Sequence, residues 1–488
     1  MFWDGVDVQI GSSNAHSELS ILKTLGVKFR ISPTRVKLAV IGGGIAGLVA
    51  GLEARRLGFD VTILEGRSHR VGGRIHTVNY LASGLWAESG PEFISPSHHF
   101  LKWYIERYKL SLLKTEGMED SPFTPILDCD GIDHERIRYQ SNCLKELLIK
   151  EANGLSSCPS IYCDEMKSFD SDSLWKFIEK TTKDPITRRY LETHFEFENG
   201  INPRKIGLLP YLLLVKGHGE GFFENLELYR LNGGLSQLTN SIKHNVCDLV
   251  SSNSLVKRIT HERKFSIQVA SGKRTEVLSD KFDSIILTVP PRLWEHGELF
   301  DMHLPSSLVP QMGDSIKVMI KVPIDIKIET GILPSSFLAM NTLVQAIWES
   351  GIGTNTGARI LTVMCGGGAA EQLARMTQAE AIDALKREIG IYIPRLTNID
   401  NRNFHFKDWG KRKLTRCGYG CPAPHELTYF RPQLESLLPN NLHVCGDWNS
   451  WEMWGYMEGA IRSALTTVLK ICRDYGAEIP KSLTERMV

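Results

Sequence analysis

The chain has almost no net charge: 57 basic and 56 acidic residues among 488 leave a formal +1. That balance supplies no field to gather nucleic acid or an anionic membrane, and neither is expected as a partner. No basic start followed by an apolar run opens the N-terminus, MFWDGVDVQIGSSNAHSELS, so no secretory leader is expected. Long apolar runs are absent as well. The uncharged stretch Leu38 to Leu52 has 15 residues, short of the roughly 20 that span a bilayer. The ten cysteines lack paired zinc-type spacing, and Cys417-Gly418-Tyr419-Gly420-Cys421 is a C-x-x-x-C without a second half. No metal is expected, and most cysteines read as buried thiols of a reducing compartment. The C-terminus carries no peroxisomal or lipidation address, which makes the cytosol (a cytoplasmic protein) the expected location. Apolar content of 42% and charged content of 23% suit a globular protein. A chain of this length exceeds one core, and two intimate domains are expected.

What is present begins at Val36. The run VKLAVIGGGIAGLVAGLEARRLGFDVTILE reads as a β-branched strand, a glycine turn, a helix to Leu57, a stop at Gly58, and a second strand ending on Glu65. Gly42 permits the tight turn, Gly44 lets backbone approach a pyrophosphate, and Gly47 lets helix and strand pack closely. Ile45 and Ala46 open the helix, whose free N–H groups and positive end suit phosphates. Glu65 stands 23 positions after Gly42, close to the roughly 20 expected of a carboxylate that grips ribose hydroxyls. A glycine-rich loop in an ordinary α/β domain is the plain alternative.

Further along, S-H-R-V-G-G-R-I-H-T (Ser68 to Thr77) is a second glycine-basic cluster. Residues 98–225 are mostly helix-compatible, broken at Gly200 to Pro203 and at Pro210. A helix is expected over Leu235 to Lys243, and strands over Leu255 to Val269, Val277 to Val289 and Ile316 to Val322. Another helix is expected over Gln378 to Gly390. The last block reads as a strand (Leu442 to Cys445), a Gly446-Asp447 turn and a long helix from about Gly455. Nucleotide-binding features near the start, middle and end imply one domain built from separated segments. The fold class is α/β: a Rossmann-like dinucleotide-binding domain (36–97, 226–291, 395–475) with an intertwined α+β substrate domain (98–225, 292–394). An N-terminal extension (1–35) and a C-terminal tail (476–488) flank them.

Five blocks in order, VIGGGIAGL, EGRSHRVGGRIHT, YRLNGGLSQL, MGDSIKVMI and CGDWNSWEMWGYMEGAIRSA, make the chain resemble the flavin-containing amine oxidases. That group holds monoamine, polyamine and L-amino-acid oxidases, and the resemblance spans roughly residues 36–473. It implies FAD between two domains, with the flavin ring facing a buried substrate cavity. By position, Glu65 and Gly66 would lie at the adenine ribose. Arg67 and Arg74 would flank the phosphates and the flavin edge, with Gly72 and Gly73 allowing close approach. Val256 would pair with the adenine. Gly446 and Asp447 stand where the family has A-G-E, near the ribityl chain. Gly455, Tyr456, Met457 and Glu458 would start the final helix under the flavin's pyrimidine end.

The resemblance also nominates the chemistry. Alternation in S-I-K-V-M-I-K puts Lys317 and Lys321 on one strand face. Lys317 matches a family lysine that reaches flavin N5 through one water and would favour electron transfer to O₂. An exposed strand face is the alternative. Tyr419 and Tyr456 match two cage aromatics in front of the flavin, against the alternative of two core tyrosines. Trp409 matches a tryptophan packed near the ring, or is core. Gly418 replaces the cysteine to which some members attach FAD, so noncovalent FAD is expected. Phe93, in Gly90-Pro91-Glu92-Phe93, replaces an arginine that clamps amino-acid carboxylates, which tilts the reading toward amines.

The expected activity is therefore that of an oxidoreductase, a flavoprotein that oxidises a C–N bond of a small amine with O₂ as acceptor. It gives an imine, then a carbonyl compound with ammonia or an amine, and hydrogen peroxide. An L-amino-acid oxidase or 2-monooxygenase of the same fold is the first alternative. A C–C desaturase and a non-enzymatic FAD-scaffolded interaction protein are the others. Substrate identity and a homodimer stay open.

Overall fold

The computed structural model describes residues 36–476 apart from 80, 82–83, 116–123, 127–132, 156–162, 220, 295–298, 301–303, 327–335, 340–342, 351 and 354–356. The N-terminal extension and nearly all of the C-terminal tail lie outside the described residues.

The segment that opens the described chain folds as its pattern requires. Strand β1 (Lys37–Ile41), helix α1 (Ile45–Arg56) and strand β2 (Asp60–Leu64) follow one another, and the two strands pair in parallel with Val40 opposite Ile63. Leu38 to Ile41 are buried, as suits a strand covered on both faces. A Cβ at Gly47 would stand 1.9 Å from the Gly42 carbonyl oxygen, so helix and turn meet there only because the side chain is missing.

The elements that position the site follow in chain order: α2 (His99–Arg107), β3 (Thr124–Ile126), α3 (Pro185–Asn199), α4 (Leu208–His218), β4 (Val250–Ser251) and β5 (Ser284–Leu287). After them come β6 (Ser315–Pro323), β7 (Ser336–Ala339), β8 (Ala346–Glu349), β9 (Ala358–Gly366), β10 (Phe404–Asp408), β11 (Leu442–Val444) and α5 (Met457–Asp474). One sheet has the order β11-β5-β1-β2-β4, with every pairing parallel. Its strands come from three distant stretches of the chain. α5 packs along α1, with Ile461, Ala464 and Leu465 in the same core as Leu48, Val49 and Leu52. The second sheet runs β10-β6-β9-β8-β7-β3, antiparallel except where β7 meets β3.

Helix α3 starts on Asp184, whose carboxylate accepts from the Thr187 amide (2.8 Å), has Pro185 in its first turn, and stops at Gly200 in the left-handed region. Pro210, expected to break a helix, instead lies in the first turn of α4. No intrahelical amide is lost there, so the helix tolerates it. The single strand expected over Leu255 to Val269 is a hairpin, Leu255–His261 with Phe265–Ser271, because the charged Glu262-Arg263-Lys264 run turns to solvent. No helix among the described residues is long and apolar enough to cross a membrane.

Candidate active site

A continuous cavity of about 420 Å³ starts at the β1–α1 turn and ends among aromatic side chains of the helical layer. Gly42, Gly44, Ile45, Ala46, Glu65, Gly66, Arg67, Gly72, Gly73, Arg74, Val256, Lys317, Trp409, Tyr419, Gly446, Asp447, Gly455, Tyr456 and Met457 all line it. Residues nominated from separate blocks are thus brought to one space.

At the turn end the carboxylate of Glu65 is held rigidly. One oxygen accepts from the Gly43 amide (2.9 Å) and the other from the Arg67 amide (2.8 Å). The two glycine clusters pack on each other. The Gly72 amide donates to the Gly43 carbonyl (2.7 Å), and a Cβ at Gly73, itself at φ 61°, would meet Gly44 Cα at 3.2 Å. No side chain caps Gly44 and no acid occupies the first turn of α1, so its first amides have no anionic cap among the described residues. Burial lowers Arg67; burial and then neighbouring Arg67 push Arg70 down to about 10. Uncapped amides and crowded guanidinium groups fit a pyrophosphate.

In the middle, Arg74 bridges two distant segments. Its guanidinium forms a two-pronged pair with Asp447, with Nη1 to Oδ2 at 3.0 Å, and donates to the Gly418 carbonyl (2.6 Å). Asp447 also accepts from the Gly420 amide (2.8 Å). The shorter acid at this position therefore spans the gap between Arg74 and the loop carrying Tyr419.

Lys317 leaves β6 on the face opposite Ile316, Val318 and Ile320, and it is 4% exposed. Its ammonium donates to the Glu92 carboxylate (2.7 Å) and the Gly90 carbonyl (3.0 Å), and lies 5.1 Å from the Trp348 ring centre. Glu92 also accepts from Trp348 Nε1 (3.1 Å) and pairs with Arg230 (3.0 Å). The Tyr419 hydroxyl donates to the Glu198 carbonyl (2.8 Å), which fixes its ring at the end of α3. Tyr456 packs against His98 and His218, with ring centres 5.3 and 4.9 Å away. Trp409 donates to the Ser89 carbonyl (2.8 Å), and Lys407 lies over its ring at 4.4 Å.

Two nominated residues sit elsewhere. Gly47 is absent from the cavity lining and serves the helix–turn contact described above. Glu458 is a correction: it is fully buried away from the cavity, and its carboxylate accepts from the amides of Phe100 (3.1 Å) and Leu101 (2.9 Å) and pairs with Arg462 (3.0 Å). Glu458 thereby caps the first turn of α2, which its own N-cap residue His98 does not. Met457 and the Tyr456 position, which has no side-chain cap, leave the first amides of α5 at the cavity instead. No group of three His, Cys, Asp or Glu side chains among the described residues is placed to hold a metal ion.

The cavity also holds residues that the sequence reading left without a role: Glu92, Trp348, Glu198 and Glu227. Glu92 lies in the Gly-Pro block already singled out, where only Phe93 was weighed. Glu198 and Glu227 occur in H-F-E-F-E-N and N-L-E-L-Y-R, where nothing in the spacing separates a cavity acid from a surface acid. Burial raises both, Glu198 to about 7 and Glu227 to about 8.

A family model described as flavin containing amine oxidoreductase matches residues 45–472. The L-glutamate oxidase precursor of Streptomyces diastatochromogenes is 48% identical over 125 residues, which cover 24% of this chain and 19% of that one. An L-amino acid dehydrogenase of Synechocystis sp. (strain ATCC 27184 / PCC 6803 / Kazusa) is 23% identical over 455 residues, 87% of this chain and 92% of that one. Among solved structures, cyclohexylamine oxidase from Brevibacterium oxydans IH-35A superposes with a TM-score of 0.73 at 21% identity, covering 91% of this chain and 100% of that one. At that identity the likeness speaks to the fold, which is the α/β architecture of the amine oxidases.

Proposed function

The chain belongs to the flavin-containing amine oxidoreductase family, and on that premise we propose that it oxidises a C–N bond of a small amine with noncovalent FAD and O₂. The overall reaction is amine, O₂ and water to carbonyl compound, ammonia or a smaller amine, and hydrogen peroxide. A bound flavin supplies the two-electron acceptor for the hydride on the carbon beside nitrogen and returns those electrons to O₂. Segments 36–97, 226–291 and 395–475 would carry the cofactor, and 98–225 and 292–394 the substrate wall.

The observation that carries this reading is the make-up of the far end of the cavity. Phe93, Phe197, Trp348, Tyr419 and Tyr456 meet there with Glu198 and Glu227, and Lys317 is already paired with Glu92. A substrate carboxylate entering there would meet two acids and would lose water without gaining a free cation. An amine suits the aromatic walls and is stripped of water between the two tyrosine rings. The Tyr419 hydroxyl is spent on backbone carbonyls, so the ring orients the substrate and moves no proton. Glu65 would hold the ribose, Arg67 and the α1 amides the pyrophosphate, and Lys317 would lie beside the reacting edge of the ring. Two facts favour noncovalent attachment. The buried Cys417 thiol donates to the Thr415 carbonyl (3.3 Å) and is pushed by burial to about 12, so no thiolate forms. A Cβ at Gly418 would crowd Ser315 Cβ at 3.0 Å.

The second reading, an L-amino-acid oxidase, is favoured by the names of the sequence relatives. It asks Arg230, 4.8 Å behind the Phe93 ring and tied to Glu92, to exchange that partner for a substrate carboxylate. Hydrogen peroxide release from matched pairs, each L-amino acid beside its decarboxylated amine, tests the choice. Faster turnover of the amines is expected. Faster bleaching of the flavin by the amino acids would overturn it, and a yellow protein that neither class bleaches would favour a non-enzymatic scaffold. Denaturing the holoprotein should release all the flavin into solution.

A further inference from the structure

We propose that Glu198 and Glu227 form a subsite for a second cationic group of the substrate, so that the preferred substrate is a flexible diamine rather than a monoamine. This deepens the amine reading above and rests on it.

Glu198 is in the last turn of α3, and Glu227 follows the short helix Phe222–Asn225; the fold brings both to the wall of the same cavity. Glu198 keeps 26% of its side-chain surface accessible, and that surface faces the cavity it lines. Its carboxylate faces His194, with Nε2 3.3 Å from Oε1, and the charge of Lys145 also bears on it. Burial pushes His194 down to about 3, so this imidazole offers a hydrogen bond and no compensating charge. Glu227 Oε2 is buried and has no hydrogen-bond partner among the described residues. Arg230, whose charge bears on Glu227, is already engaged by Glu92.

A carboxylate left so in an aromatic cavity is costly unless a cation or a proton meets it. The charge of Glu198 raises that cost for Glu227. The reacting amine does not supply the missing charge, because it must be neutral to give up a hydride. An ammonium at the other end of the same molecule does. Phe222 and Tyr211 line the cavity with the two acids and offer ring faces to the same cation. The Tyr419 hydroxyl bonded to the Glu198 carbonyl ties this subsite to the tyrosine cage, so one extended molecule reaches both.

Two measurements test the subsite. The first compares kcat/KM for 1,4-diaminobutane and 1,5-diaminopentane with that for butylamine and pentylamine. A preference of about tenfold or more for the diamines is expected, the worth of one charge-assisted hydrogen bond. Glu198→Gln and Glu227→Gln should each collapse that ratio, in holoprotein whose flavin content shows that it has folded. The second is calorimetric titration of the anaerobic, pre-reduced holoprotein, where no turnover occurs. There the diamine should bind about tenfold tighter than the monoamine, and Glu227→Gln should abolish the difference. Equal efficiency for monoamines and diamines, unchanged in the variants, overturns the subsite and leaves the amine reading standing. Oxidation of neither class, with no binding of diamine to the reduced protein, overturns both. Tight diamine binding that Glu227→Gln abolishes, in a protein that oxidises neither class, sinks the amine reading and with it the diamine as substrate, and leaves a diamine-binding site alone.

Discussion

The ammonium of Lys317 lies 2.7 Å from the carboxylate of Glu92, and both side chains are buried. Because Arg230 and Trp348 converge on the same carboxylate, one anion here serves two cations. The two ends of the pair are therefore not equivalent to mutation. Lys317→Met leaves Glu92 with Arg230 and Trp348, so the fold and the flavin content should survive. Reoxidation of the reduced protein by O₂, followed by stopped flow, should slow about tenfold or more; an unchanged rate removes Lys317 from that half of the reaction. Glu92→Leu strands two buried cations and should cost about 3–5 kcal/mol, read as a large fall in Tm.

Tyr456 packs against His98 and His218 on one side and lines the cavity on the other. Tyr456→Ala should reduce kcat/KM for amines about tenfold, the scale of one lost aromatic face. The protein should remain yellow. If kcat/KM holds at the wild-type value, the ring is packing alone.

Gly47→Ala would set a methyl group 1.9 Å from the Gly42 carbonyl oxygen, which is backbone and cannot swing away. The β1–α1 turn should open, with a loss of about 1–3 kcal/mol and poor flavin retention. Gly154→Ala, whose Cβ would meet nothing within 4 Å, is the control and should change stability by less than about 0.5 kcal/mol. Equal melting temperatures for the two variants would refute the close-packing role of Gly47.

His443 in β11 is held neutral by burial, with Lys470 adding to the effect, and its folded value falls to about 4. The value is lowered relative to the unfolded chain, so the unfolded state takes up the proton first as pH falls. Its contribution is complete above about 6.5 and is lost toward pH 4, amounting to about 3 kcal/mol. His443→Leu should flatten the fall in Tm between those limits. A melting profile of unchanged slope would show that the imidazole is solvated in the native state.

The first βαβ unit was legible in the sequence because its determinants are local. Gly42, Gly44 and Gly47 fix one turn, and strand alternation placed Lys317 opposite Ile316 and Val318 before any fold was known. Glu458 marks the limit of that reasoning. A first-turn acid that faces a cofactor and one that faces another helix look alike in sequence, and packing against α2 decided for the second. Glu92, Arg230 and Lys317 lie in three distant parts of the chain and become one ion cluster only when the Gly90 loop, the strand Tyr229–Leu231 and β6 converge. For Glu198 and Glu227 the chain specifies two acids flanked by apolar residues, and the tertiary structure alone turns them into a cavity. Local backbone preference and periodicity act over a few residues and can be read in one dimension. Desolvation and charge pairing depend on what lies across space, so the character of the cavity wall was settled by folding.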